Sequence, residues 1–355
     1  MVKKELKVIS LFSGCGGLDL GFHLAKHPEY KYKSVWANDN FEEACDTFDR
    51  NFPIKIDRRN VWNVAFQNVP DCDVVIGGFP CQNFSVLSKK EGIKVKNGML
   101  YKRLALAVHE KNPKVFLAEN VKGLLSANGG RAFRIIKETF EGAGKYGYDV
   151  FTKVVKFSDY GVPQARERLI FIGFRKDLGM IDFIFPKPVV QRPVTAKEAF
   201  EKPIPVEKVL YNNERQKMKE RTVEMLKAIP PGGNYLDLKG KKDDKGNCLE
   251  VKGLMSGIYK RLHPDRPAYT VIAGGGGGTW GYHYKEHRVL TNRERARLQS
   301  FPDNFIFEGG ISAVRKQIGN AVPPLGAKVL AEHILNFYSK IEMATQRAPE
   351  IVLES

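Results

Sequence analysis

Over its first 175 residues the chain alternates short β-branched runs with amphipathic stretches of helical period, and that rhythm leaves few architectures open. Strands are predicted at Lys7–Leu11, Lys33–Ala37, Asp73–Ile76, Val115–Ala118, Phe151–Phe157 and Leu169–Phe174. Helical patterns fall between them, near Leu18–Lys26, Phe41–Asn51, Leu100–Lys111 and Ala132–Phe140. Strands alternating with helices give an α/β fold with a mostly parallel sheet and helices on both faces.

The texture changes from about Phe185 to His287. Prolines cluster (Pro186, Pro188, Pro193, Pro203, Pro205, Pro230, Pro231), charged stretches such as 239–246 follow, and five glycines run from Gly274 to Gly278. This reads as a smaller, irregular domain with little helix. Strong helical signals then return. Thr291 can cap a helix over Asn292–Ser300 with Glu294 at the capping-box spacing, and a second helix is predicted from the Pro323-Pro324 pair to about Ile341. The expected division is 1–180, 181–289, 290–345 and a tail at 346–355.

Composition narrows the function. The 355 residues are 43% hydrophobic and 27% charged, a globular mixture, and no apolar run approaches the about 18 residues that span a bilayer. The lysines before the short apolar run at Lys7–Phe12 imitate a signal peptide, but the glycine-rich loop after it favours a first strand. Lysine and arginine number 57 against 40 acids, a formal charge of +17. Such an excess points to a polyanion or an acidic membrane surface, with a Lys-rich proteome as the bland alternative. Five cysteines without a CxxC pair give neither a disulfide framework nor a metal site, so no metal is expected, and reduced thiols fit a cytoplasmic location.

The unusual residues fall in loops after strands. Phe12-Ser13-Gly14-Cys15-Gly16-Gly17 follows the first strand and Asn38-Asp39-Asn40 the second. Gly77-Gly78-Phe79-Pro80-Cys81-Gln82 follows the third and Glu119-Asn120-Val121 the fourth. In an open parallel sheet these loops emerge together at the carboxyl ends, where ligands bind. The glycine loop is not the dinucleotide pattern, because Asp19 occupies the third glycine position. Asp39 is spaced to accept from a ribose diol, which suggests an adenosine-containing cofactor; a tight turn with a surface Asp is the plainer reading.

Cys81 follows a tight Gly-Gly-Phe-Pro turn and precedes a lysine-rich loop, Ser85–Lys96, with Lys89, Lys90, Lys94 and Lys96 against Glu91. An exposed thiolate near positive charge is a strong nucleophile, although most lone cysteines are simply buried. The loop is either a lid over phosphates or a solvated charge run. Glu119 ends an apolar strand, where partial burial favours a carboxyl able to donate a proton. In extended chain Gln164, Arg166 and Arg168 share a face, suited to a phosphate or carbonyl oxygen, or forming a surface ion-pair cluster.

In this order the motifs resemble those of the C5-cytosine DNA methyltransferases. The resemblance runs from the Phe12–Gly17 loop through Gly78–Gln82, Glu119–Val121 and Gln164–Arg168. It continues in Leu290–Gln299 with Phe301-Pro302 and ends in Gln317–Pro324, across nearly the whole chain. It implies a Rossmann-like S-adenosylmethionine-dependent sheet, with a target-recognition domain between Arg168 and Leu290. It implies catalytic roles for Cys81, Glu119, Arg166 and Arg168: Cys81 adds to cytosine C6, Glu119 holds N3 and the amine, Arg168 contacts O2 and Arg166 holds a nearby phosphate. Cofactor contacts implied are Phe12, Gly14, Cys15, Gly16, Gly17, Leu18, Asp39, Asn40, Asn60, Val61, Pro80, Leu100, Asn320 and Val322. DNA contacts implied or read from the loops are Gln82, Ser85, Lys89, Arg261, Thr270, Trp280 and Tyr282.

Two positions depart from the family pattern. Asn60 stands where an Asp usually accepts from the adenine amine, and an amide oxygen can still accept. Asp39 stands where Glu is commoner, so the ribose must come closer. The 274–284 segment either brings backbone and aromatics to base edges or is a floppy loop. The implied enzyme is a monomer acting on a short site in duplex DNA, the modification half of a restriction–modification system with a cognate endonuclease encoded nearby. An RNA cytosine methyltransferase of the same fold and a catalytically silent DNA-binding relative remain alternatives.

Overall fold

A computed structural model describes residues 2–80, 99–179, 181–253, 257–274 and 280–347. Its centre is a six-stranded sheet of β1 (Lys4–Leu11), β2 (Tyr30–Asn38), β3 (Val74–Gly78), β4 (Val115–Val121), β5 (Tyr148–Lys156) and β6 (Glu167–Arg175), in the order β2-β1-β3-β4-β6-β5. β1 to β4 pair in parallel, and β6 runs antiparallel to both β4 and β5.

Side chains alternate across this sheet, as a strand's two-residue period requires. Val8, Ile76, Leu117 and Ile172 face one layer, while Ile9, Val75, Phe116 and Phe171 face the other. The first layer is closed by α1 (Gly17–Leu24) and the long α9 (Pro324–Arg347), through Leu18, Phe22, Leu330 and Ile334. The second is closed by α3 (Leu100–Lys111) and α4 (Arg131–Glu141), through Leu104, Val108, Ile136 and Phe140. The predicted strands and helices of this half are all present, with ends moved by a few residues.

A third core joins α2 (Glu42–Asn51) to later parts of the chain. Phe48 and Phe52 pack with Phe200 of α5 (Ala196–Glu201), Leu298 of α7 (Asn292–Leu298) and Ile318 of α8 (Ile311–Asn320). The capping box expected at Thr291 is formed: its Oγ accepts from the Glu294 N–H at 3.1 Å, and Glu294 accepts from the Thr291 N–H at 2.8 Å. Between these, α6 (Glu220–Ala228) and the short parallel pair β7 (Lys260–Arg261) and β8 (Trp280–Tyr282) build small satellite cores around Ile229 and Leu226.

Two features differ from the sequence reading. α8 was not predicted; it opens on Gly310 without a side-chain cap. α9 runs past Ile341 to Arg347. No helix among the described residues is long and apolar enough to cross a membrane.

Candidate active site

The loops after β1, β2, β3 and β4 line one cavity of about 730 Å³ at the carboxyl edge of the sheet, closed on the far side by the end of α8 and the turn into α9. That volume lies in the range of ordinary ligand sites.

The glycine loop is held from several sides. Ser13 N–H donates to Asn38 O at 3.1 Å, and Gly16 N–H to Ser13 O at 2.8 Å. Gly14 N–H donates to Asp39 Oδ2 at 2.8 Å, while Asp39 Oδ1 accepts from Phe41 N–H at 2.9 Å. Asp39 thus pins two loops together; burial pushes its carboxyl up, against the opposing pull of those N–H donors and Lys316. Gly16 adopts φ 86°, and a side chain there would meet the Phe52 ring at 2.3 Å. Gly17 lies against Val322 O, 2.4 Å from where its Cβ would stand. These two glycines shape the loop from behind, whereas Phe12, Gly14, Cys15, Leu18, Asp39, Asn40, Asn60, Val61, Pro80, Leu100, Asn320 and Val322 line the cavity itself.

The Asp39 acid, the Asn60 amide and apolar Phe12, Val61 and Leu100 around them pair acceptors for hydroxyls and an amine with apolar walls, a lining that fits an adenosine. Asn60 accepts from Trp62 N–H at 3.1 Å and so caps a single 3₁₀ turn over Val61–Asn63. Trp62, Phe41 and Lys316 also line the cavity and were missed in the sequence. Trp62 directly follows the Asn60-Val61 pair, which was the available signal. Lys316, set over the Phe41 ring at 4.1 Å, is brought in only by α8.

At the other end, Glu119 and Arg168 meet across the β4–β6 pair. Arg168 Nε lies 2.8 Å from Glu119 Oε1, with both side chains largely buried. Gly78 gives Glu119 room: a Cβ there would stand 3.2 Å from Glu119 Oε2. Asn120 donates to Phe79 O at 2.9 Å and accepts from Val121 N–H at 2.8 Å, tying the loop that carries Pro80 to β4. Cys81, Gln82, Ser85 and Lys89 lie outside the described residues. Pro80, their immediate neighbour, lines the cavity.

Residues 6–336 match the family described as C-5 cytosine-specific DNA methylase. The chain belongs to that family. The methylase is 46% identical to the Type II methyltransferase M.NgoFVII of Neisseria gonorrhoeae, over 94% of this chain and 87% of that protein. It is 44% identical to the Type II methyltransferase M.BbvI of Brevibacillus brevis, over 94% and 91%. Among solved structures it resembles a DNA modification methyltransferase encoded within a prophage of E. coli, with a TM-score of 0.66 and 26% identity over 94% and 99% of the two chains. The methylase is thus a DNA (cytosine-5-)-methyltransferase by family, on an α/β fold.

Five residues expected at the site have partners within the protein. Arg166, expected on a phosphate, is 1% exposed and donates to Val271 O at 3.0 Å and Gly319 O at 3.1 Å; burial, then Arg168, lowers its pKa to about 9. Arg261, expected on DNA, spends its donors on the carbonyls of Leu226, Ile229, His283 and Tyr284 at 2.7–3.1 Å. Tyr282 is 1% exposed and stacks on Tyr259, so its ring faces the interior. Thr270 Oγ donates to Ala165 O at 3.1 Å, and the Trp280 backbone pairs with Lys260.

Proposed function

We propose that this methylase transfers a methyl group from S-adenosylmethionine to C5 of a cytosine flipped out of duplex DNA at a short specific site. The observation that carries the reading is that one cavity is lined both by the adenosine-fitting loops and by the Glu119–Arg168 pair. A base inside a duplex cannot reach such a cavity, so it must leave the stack, at a cost of a few kcal/mol.

Phe12, Asp39, Asn60 and Val61 would hold the adenosine, and Leu18, Asn320 and Val322 the amino-acid part. When bound, the cofactor supplies an electrophilic methyl group. Cytosine C5 is too weak a nucleophile to take it unaided. The Cys81 thiolate adds to C6, forming an S–C bond and moving the C5=C6 electrons towards N3. Glu119 shares a proton with N3 and accepts from the amine, and Arg168 donates to O2, so the displaced charge is neutralised where it develops. C5, now enamine-like, becomes methylated. A base such as water then removes the C5 proton, and the returning electrons expel the Cys81 thiolate.

Residues 181–289 would supply the sequence readout, with residues 290–345 packed back on the sheet. The Type II methyltransferase names of the relatives support a modification enzyme; that it acts as a cytoplasmic monomer and protects DNA from a cognate endonuclease encoded nearby is part of the same proposal. The test is to incubate the protein and S-adenosylmethionine with mixed-sequence duplex DNA and, separately, with total tRNA, and quantify 5-methylcytosine by mass spectrometry. Product in DNA supports the reading, and bisulfite sequencing then gives the site. Product in tRNA alone, or in neither, overturns it. Cys81→Ser should abolish transfer while leaving DNA binding intact.

A further inference from the structure

Three segments far apart in the chain meet at Arg166. It stands one residue before β6, and its two terminal nitrogens are divided between Val271 O and Gly319 O. Val271 belongs to the stretch that leads into the Gly274–Gly278 run. Gly319 precedes Asn320, and both line the cavity.

The two segments also touch directly. A Cβ on Gly319 would stand 2.1 Å from Ala273 N and 2.3 Å from Ile272 C, so the 271–273 backbone lies in the place of a side chain. Neighbouring bonds continue the seam. Gln164 accepts from Val271 N–H at 2.7 Å and donates to Leu298 O at 3.0 Å, and Ala165 N–H donates to Ala268 O at 2.8 Å. Two residues beyond Arg166, Arg168 carries the ion pair with Glu119.

We propose that Arg166 is a positioning residue that couples recognition of DNA to the hold on the cofactor, by bolting the 271–273 segment to the Gly319 wall of the cavity. This rests on the functional reading above. A guanidinium is planar and gives its donors in a fixed fork, so a shift of Val271 carries Gly319 with it. A lysine at the same place is a single point donor on a flexible stem and can satisfy only one side at a time. Burial strengthens the linkage, since Arg166 and Val271 are almost wholly inside and a hydrogen bond gains strength at low local dielectric.

Such coupling is reciprocal: DNA must tighten the cofactor by the same factor as the cofactor tightens DNA. The probe is S-adenosylhomocysteine, its Kd measured by calorimetry with and without duplex DNA that the wild-type protein methylates. For the wild type we expect DNA to tighten binding by about tenfold, within the usual range of coupling. In Arg166→Lys the factor should fall below about twofold, with DNA-free affinity held within about threefold. A merely structural role would weaken both measurements together or neither. Thr270→Val, which removes one partly exposed bond of the same seam, should lower the factor in part and serves if Arg166→Lys does not fold.

An uncoupled wild type overturns the proposal, as does wild-type coupling in a folded Arg166→Lys or, failing that variant, in Thr270→Val. Methyl transfer by the wild type is measured first. Its absence counts against the functional reading, whereas transfer with unaltered coupling in the variants counts against the role of Arg166 alone.

Discussion

Arg168 Nε lies 2.8 Å from Glu119 Oε1, the two side chains reaching towards each other from antiparallel neighbours in the sheet. Each is the other's counter-ion in a place with little water. Removing one partner of a buried pair leaves an uncompensated charge, a loss of about 3–5 kcal/mol, whereas replacing both by apolar groups of similar volume is often neutral. We therefore expect Arg168→Met to lower stability markedly in urea unfolding, and Glu119→Gln/Arg168→Met to recover most of it. Methyl transfer should behave differently. Every one of these variants should lose at least about 100-fold in kcat, the usual contribution of a positioned acid or base, with no recovery in the double variant.

Asn60 offers a second test. Its side-chain oxygen caps the 3₁₀ turn by accepting from Trp62 N–H. Asp caps as well as Asn, so Asn60→Asp should leave the melting temperature nearly unchanged. The carboxylate keeps one oxygen for the cap and offers the other, charged, to an adenine amine. A hydrogen bond to a charged group is worth about 1 kcal/mol more than a neutral one, so S-adenosylhomocysteine should bind about fivefold tighter. Calorimetry of the two proteins decides this, and unchanged affinity would place the adenine elsewhere.

The sheet was legible because its strands are short runs rich in β-branched and aromatic residues, the first four each followed by a loop of distinctive residues. The reversal of β6 was not, since pairing direction depends on a neighbour far along the chain. α8 was hidden because its first turn follows Gly309-Gly310 and carries no side-chain cap. The internal bonding of Arg166 and Arg261 was hidden for a common reason. A guanidinium satisfied by carbonyls looks in sequence like one that waits for a phosphate. What separates them is the convergence of backbone acceptors on one point, as around Arg261, and no local pattern records that.

Arg261 turns this into a prediction. Its guanidinium joins the end of α6 to the irregular segment just after β8 through four carbonyls. Arg261→Met would remove a donor from each of those carbonyls, at about 1–3 kcal/mol for each one left without another. We expect a loss of at least about 3 kcal/mol in urea unfolding, since several carbonyls are orphaned at once. Arg261→Lys should recover only part of it, because an ammonium cannot reproduce the fork. A DNA-contacting arginine would give the opposite pattern: normal stability with weakened DNA binding.

The pH dependence of stability should be shaped in part by His283. The residue is 6% exposed, its ring stacks against both Phe200 and Tyr284, and it accepts at Nδ1 from the N–H groups of Lys285 and Glu286 at 3.0 Å. Burial lowers its pKa to about 4 from the ordinary 6.5, although Glu294 lies 3.8 Å from Nε2 and favours the proton. Glu294 is already held by Arg288, at 2.7 and 2.9 Å. The folded protein thus keeps the ring neutral where the unfolded chain would protonate it. Acidification below 6.5 feeds protons to the unfolded state, so this stabilisation is complete above 6.5 and is lost progressively towards pH 4. Between pH 7 and pH 5 the loss from this one group should be about 1–2 kcal/mol. In urea titrations at the two pH values, His283→Gln should be less stable than the wild type at pH 7 but should show a smaller drop on going to pH 5. An equal drop in both proteins would assign the acid sensitivity to other groups.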